Sequence, residues 1–222
     1  VLIFLAYYVN IWEDEAYTLN TTSNNLSGVI SESYRFEGQP PAYFVLLSFW
    51  RLIHPGIFTA RLFSVLCIGL TVYVLNRILS LVSDLKYPNW IIVIFLLNPF
   101  TIWAALEIRT YALLILLAAF AVYSAMIYAA VNRKAYLYFF LLISLVGLYT
   151  QYYFAFLIAA IAIGILIQYG WNVFFRLSLY FIPVVILFLP NFYFLTDNIK
   201  SFQSDDPGYS MKERISVVLT SV

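Results

Sequence analysis

Between Lys134 and Arg176 the chain carries no charged side chain. Shorter charge-free runs separate Arg61 from Arg77, Lys86 from Glu107, Arg109 from Arg133 and Arg176 from Asp197. A membrane-crossing helix needs about 20 consecutive apolar residues, so these runs have span length and the longest holds two. Its polar break, Thr150–Gln151–Tyr152–Tyr153, divides the pair. The spacing predicts spans at 57–83, 88–106, 109–131, 135–150, 152–169 and 174–195. Lipid offers no partner to an open peptide group, so spanning segments close their own hydrogen bonds, as helices or as barrels. Barrel strands would alternate over about ten residues, and no such alternation is visible.

Composition agrees. The 222 residues are 64% hydrophobic and 10% charged, with a mean hydropathy of +0.89, against about 25% charged in an ordinary soluble domain. That deficit excludes a soluble globule, a disordered chain and a nucleic-acid binder with a basic face. The net charge of +1 gives no field for capturing a polyanion. One cysteine, Cys67, excludes a disulfide framework and a thiolate metal site, and one histidine, His54, excludes a multi-histidine site. The reading is all-α: one polytopic helical domain over residues 1–222.

Both ends read as cut through helices. The opening run, 1–11, is a partial first span, and no small-residue cleavage site follows it as a signal peptide would require. A new apolar run, Ile215 to Val222, closes the chain. The expectation is a piece of a longer protein.

Basic residues set the direction. Arg77 with Lys86, then Arg133 with Lys134, then Arg176 fall at alternate helix ends, and short cytoplasmic loops are rich in Lys and Arg. Placing those junctions inside puts 12–56, 107–109, 150–152 and the loop 196–214 outside. Pro40 to Ile53 tests the scheme. It is apolar but only about 21 Å long as a helix, and if it crossed, every later junction would flip. It is therefore read as a juxtamembrane helix at the outer boundary, with His54–Pro55–Gly56 breaking the chain after it.

Three polar groups at the outer junctions need explaining. Glu13, Asp14 and Glu15 follow the first span, either as a solvated cap or as a carboxylate whose partial desolvation raises its basicity. Glu107 and Arg109 separate two spans with almost no loop, as an internal ion pair or as a site facing a cavity. Gln151 stands among Tyr149, Tyr152 and Tyr153, where an interfacial tyrosine belt is the plainer explanation.

The order of motifs carries a resemblance. DEAYT (Asp14 to Thr18) is followed by EGQPPAYFVLLSFWRL, ARLFSVLCIGLTVYVL, NPFTIWAALEIRTYALL and YTQYYFAF. This resembles the GT-C membrane glycosyltransferases, in particular the protein O-mannosyltransferase and lipid A aminoarabinose transferase branch and its bacterial relatives, over essentially the whole chain. The resemblance implies a GT-C helical bundle whose catalytic first extracytoplasmic loop carries juxtamembrane helices. It implies transfer of a sugar from a polyprenyl-phosphate donor to a lipid, glycan or protein acceptor at the outer membrane face, without nucleic acid as a partner.

Residue by residue, Asp14 matches the general base of the family's Asp–Glu pair, and Glu15 the second member, which orients or binds. Glu37 and Gln39 lie where relatives read Glu–Lys–Pro or His–Pro–Pro. That lysine binds the lipid phosphate, and here Gln39 is neutral. Gln151 stands where relatives carry Lys or His, and Glu107 with Arg109 matches an acidic–x–Arg junction. Departure of a phosphate needs positive charge where its charge develops, so Arg109 is the best remaining cation and Arg35 the second. No cofactor is implied. A carboxylate cluster can hold a divalent metal, but this branch works without one.

Two other classes compete. A transporter or lipid flippase predicts mid-membrane charges and broken helices in paired halves; Pro183 and Pro190 lean that way, but the charges cluster at helix ends and no repeat is evident. A noncatalytic subunit of polysaccharide assembly would tolerate the neutral Gln39 and Gln151.

Overall fold

The computed structural model describes residues 1–81 and 88–204. Those residues form helices and no strand, in the order α1 Leu2–Tyr8, α2 Glu13–Thr21, α3 Leu26–Arg35, α4 Ala42–Arg51, α5 Ile57–Leu81, α6 Pro88–Leu97, α7 Pro99–Leu106, α8 Tyr111–Val131, α9 Lys134–Leu148, α10 Phe154–Tyr169 and α11 Trp171–Ser204. Three stretches, Ile57–Leu81, Tyr111–Val131 and Trp171–Asn191, are long and apolar enough to cross a membrane. That marks a membrane protein. Helices α9 and α10 are apolar but shorter.

The chain divides into two compact units, Val1–Phe188 and Leu189–Val222. In the first, α5 and α9 pack on α8. Cys67, Ile68 and Val74 bury one side, Leu137, Phe140 and Ile143 the other, and α8 answers with Ala112, Ala121, Ser124 and Ala125. Small residues let helix backbones approach where lipid removes the hydrophobic drive between helices. Large side chains such as Leu142, Phe156, Ile163 and Ile167 point outward instead, as a lipid-facing surface requires. Between α9 and α10 the turn is so close that a Cβ at Gly147 would collide with the Phe154 ring. In the second unit α11 continues to Ser204.

Two expected elements differ. The span 88–106 is not one helix: α6 and α7 meet at a 62° bend. Pro99 lacks an N–H and its ring crowds the preceding turn, while the Asn98 side chain accepts from the Phe100 N–H at 2.8 Å and starts α7 afresh. The helix expected over 174–195 runs further both ways, from Trp171 to Ser204, and continues through Pro183 and Pro190, as prolines in apolar helices can be accommodated. The expected loop 196–214 is thus helical to Ser204, and its remainder, with 82–83 of the first full span, lies outside the described residues.

The segment 12–56 folds as three short helices. Asn25 caps α3, its side chain accepting from the Gly28 N–H at 2.8 Å. Arg51 at the end of α4 donates to the Leu19 carbonyl and the Thr22 hydroxyl, closing α4 onto the end of α2. Trp50 Nε1 donates to the Thr59 carbonyl at 2.7 Å and fastens α4 to α5. At 10 residues, α4 is about 15 Å long, half the roughly 30 Å of a hydrocarbon core.

Candidate functional site

The site grows from the first turn of α2. Glu13, Asp14 and Glu15 are its opening residues, where the unpaired N–H groups and the helix dipole favour negative charge. Helical geometry then separates them. Glu15 turns inward and is 1% exposed, whereas the Asp14 side chain is 68% exposed.

Glu15 is fully engaged. One oxygen accepts from Arg61 at 2.9 Å and from the Trp12 N–H at 3.1 Å. The other accepts from the Ile108 N–H at 2.9 Å. Arg61, itself 1% exposed, also donates to the carbonyls of Ala6, Val9 and Asn10, the open C-terminal end of α1. One buried pair therefore fixes α1, α2, α5 and the 107–109 junction to each other. A buried charge is costly unless paired and hydrogen-bonded, and here both partners are.

One turn outward, Arg109 reaches into the segment 12–56. Its guanidinium donates to Glu37 at 3.0 Å and to the Thr18 hydroxyl at 3.1 Å, and lies 3.9 Å from the Asp14 carboxylate. The Glu37 side chain is only 4% exposed and also accepts from the Thr21 hydroxyl at 3.3 Å. Burial pushes its carboxyl above the usual range, and Arg109 pulls against that shift without cancelling it. Glu107 ends α7, its carbonyl accepting from the Ser64 hydroxyl at 2.7 Å. Its carboxyl is raised too, first by burial and then by the charge on Glu15.

The expected residues thus fall into three groups. Asp14, Glu37, Glu107 and Arg109 come together, with Glu15 beneath them as a positioning residue that has no open oxygen. Gln39 lies half-buried in the turn before α4. Its N–H donates to the Ser33 carbonyl, and its side-chain oxygen has no hydrogen-bond partner among the described residues. Arg35 sits on the exposed last turn of α3, and Gln151 in the turn after α9, each outside the hydrogen bonds of Arg109. Of the three carboxylates that open α2, Glu15 is buried and Asp14 faces outward, while burial raises the carboxyls of Glu37 and Glu107. His54 is a turn residue, its ring nitrogen accepting from the Gly56 N–H. Among the described residues no three His, Cys, Asp or Glu side chains gather as a metal site.

Sequence reasoning missed Arg61, Thr18 and Tyr43. Arg61 stands at the edge of a charge-free run, and a lone arginine inside a span is itself a signal of a paired interior site. Tyr43 is 1% exposed, and its hydroxyl has no hydrogen-bond partner among the described residues. Burial raises it strongly, and it feels the charges of Arg109, Glu37 and Glu15.

The contacts also sort the junctions. Arg109 joins 107–109 to α2, and the Ala42 N–H donates to the Tyr149 carbonyl at 2.9 Å. Segment 12–56, the 107–109 junction and the turn after α9 thus share one end of the first unit. Arg176 donates to the Asn132 side chain at 3.3 Å, bringing two of the basic junctions together. No protein-family model, curated protein or solved structure matches the chain.

Proposed function

We propose that this protein is an integral-membrane glycosyltransferase of the GT-C type, moving a sugar from a polyprenyl-phosphate donor to an acceptor hydroxyl on the extracytoplasmic face. One observation carries the reading: an exposed carboxylate, Asp14, stands 3.9 Å from a largely buried guanidinium, Arg109, at one end of an apolar bundle. Sugar transfer from a lipid phosphate needs both groups. The acceptor oxygen forms a bond to the anomeric carbon while the bond from that carbon to the phosphate oxygen breaks. The acceptor proton passes to Asp14, and the electron pair leaves with the phosphate, whose charge Arg109 stabilises. Glu15 and Arg61, paired at 2.9 Å, hold the turn that carries Asp14. The order of the motifs supports the same assignment, and an apolar bundle beside the site suits an isoprenoid tail.

The bend between α6 and α7 favours a second reading, a lipid or oligosaccharide transporter or flippase, since such proteins bind substrate at broken helices. In this chain the break at Asn98–Pro99 is separated from the charged residues by the length of α7. Reconstitution of the full-length protein with a labelled polyprenyl-phosphate sugar and an acceptor extract separates the two. Label appearing in the acceptor supports transfer; label crossing the bilayer still attached to its lipid supports transport.

A further inference from the structure

Arg109 is the cation assigned to the donor phosphate, yet it is surrounded by negative charge. Glu37 bonds it at 3.0 Å, Asp14 lies at 3.9 Å, and Glu107 stands two residues away in sequence within reach of its charge. Glu15 adds nothing to this count, because Arg61 neutralises it. Two carboxylates therefore face one guanidinium and a third, Glu107, stands within reach of its charge, so a phosphate entering beside them would meet a site with net negative charge. Either a positive charge enters with it or a carboxylate is neutralised.

Glu37 is the carboxylate built for that. Asp14 is exposed and stays solvated, whereas Glu37 is buried and touches the guanidinium directly, so a phosphate on Arg109 would stand against it. Glu37 is met by Thr18 and Thr21 of α2, by Arg109 of the 107–109 junction and by Tyr43 of α4; Asp14 lies 3.9 Å from the same guanidinium, and Glu107 is within reach of its charge. On its own segment are Glu32, whose carbonyl accepts from the Glu37 N–H, and Arg35. Among the described residues, Arg109 is the one cation that bonds its carboxylate. When that cation is drawn to a phosphate, the interaction keeping Glu37 ionised weakens and a like charge arrives.

We infer that Glu37 takes up one proton from solvent when a phosphate docks on Arg109, its carboxyl changing from acceptor of the guanidinium to donor toward a phosphate oxygen. The inference rests on the phosphate role proposed for Arg109. Burial already holds the Glu37 carboxyl above its ordinary value with the site free, and the phosphate raises it further. Binding is then tighter at lower pH, by up to about tenfold per pH unit between the free and bound pKa values.

The test is calorimetry of undecaprenyl phosphate binding to the full-length protein in nanodiscs, in two buffers of different ionisation enthalpy across a pH series. The expected result is uptake of close to one proton beyond that of the lipid phosphate itself, measured with empty nanodiscs. Glu37→Gln, which presents a neutral donor permanently, should bind without that uptake and with a flatter pH profile. Wild-type binding without excess proton uptake overturns the inference and leaves the proposed function standing. Excess uptake that persists in Glu37→Gln moves the proton to another group and overturns it as well. Wild-type protein that binds no phosphate lipid at any pH overturns both.

Discussion

Arg61 and Glu15, each 1% exposed, meet at 2.9 Å between α5 and α2, and this pair sets where Asp14 stands one residue away. The neighbouring side chains share a helix turn but not a role. Glu15 spends both oxygens on Arg61, Trp12 and Ile108, which leaves Asp14 to face outward.

Removing one member leaves the other buried and unpaired. Arg61→Met or Glu15→Leu alone should cost about 3–5 kcal/mol of stability, the usual loss on breaking a buried ion pair. The double substitution should recover part of it. Thermal unfolding in detergent measures this; a double variant as unstable as the two singles together would show that the pair is not coupled.

Arg109 is held by Glu37 and Thr18, so its replacement loses a positioned cation. Arg109→Gln should weaken binding of a polyprenyl phosphate and slow turnover together, because the phosphate is held in both ground and transition states. Lysine at this position should rescue only part, since it lacks the planar fork that bonds two partners at once. Titration of the lipid into purified variants and steady-state transfer rates report the two effects separately.

Gly147→Ala should destabilise the α9–α10 hairpin by about 1–3 kcal/mol, the typical cost of overpacking, because the added Cβ meets the Phe154 ring. Phe154→Ala in the same chain should relieve the clash while leaving a cavity. The order of the three melting temperatures, with the wild type highest, checks this.

The sidedness assigned from basic residues predicts that α3 and the start of α9 face opposite aqueous phases. Ser27 and Ala135 are both exposed, and the native Cys67 is buried. Ser27→Cys should react with an impermeant maleimide from outside, and Ala135→Cys only after permeabilisation. Equal reaction from one side would contradict the topology.

Much of this was legible because charge is expensive in lipid: the charge-free runs locate the apolar helices, and the charges that interrupt them locate Asp14, Glu37, Glu107 and Arg109. Two kinds of information were not local. The Asn98–Pro99 break was written in the sequence but overridden by the length of the apolar run around it. Arg61 and Glu15 are 46 positions apart, and nothing in either neighbourhood shows that they meet. Which member of Asp14 and Glu15 turns inward follows from the packing of α2 on α5 and the 107–109 junction, a tertiary fact. Gln39 and Gln151 rest on the order of motifs and Arg35 on its charge, and none of the three joins the hydrogen bonds of Arg109.

In the proposed sugar transfer Asp14 takes the proton of the acceptor hydroxyl. This role is tested by the transfer rate from a labelled polyprenyl-phosphate sugar, using full-length protein in proteoliposomes and comparing Asp14→Asn with Glu13→Gln. Asparagine keeps the size of the side chain and cannot take a proton, so turnover should fall about 10²–10⁴-fold with donor affinity changed much less. Glu13, exposed and bonded to Tyr17 in the same helix, should matter little. Near-full transfer by Asp14→Asn would contradict the account.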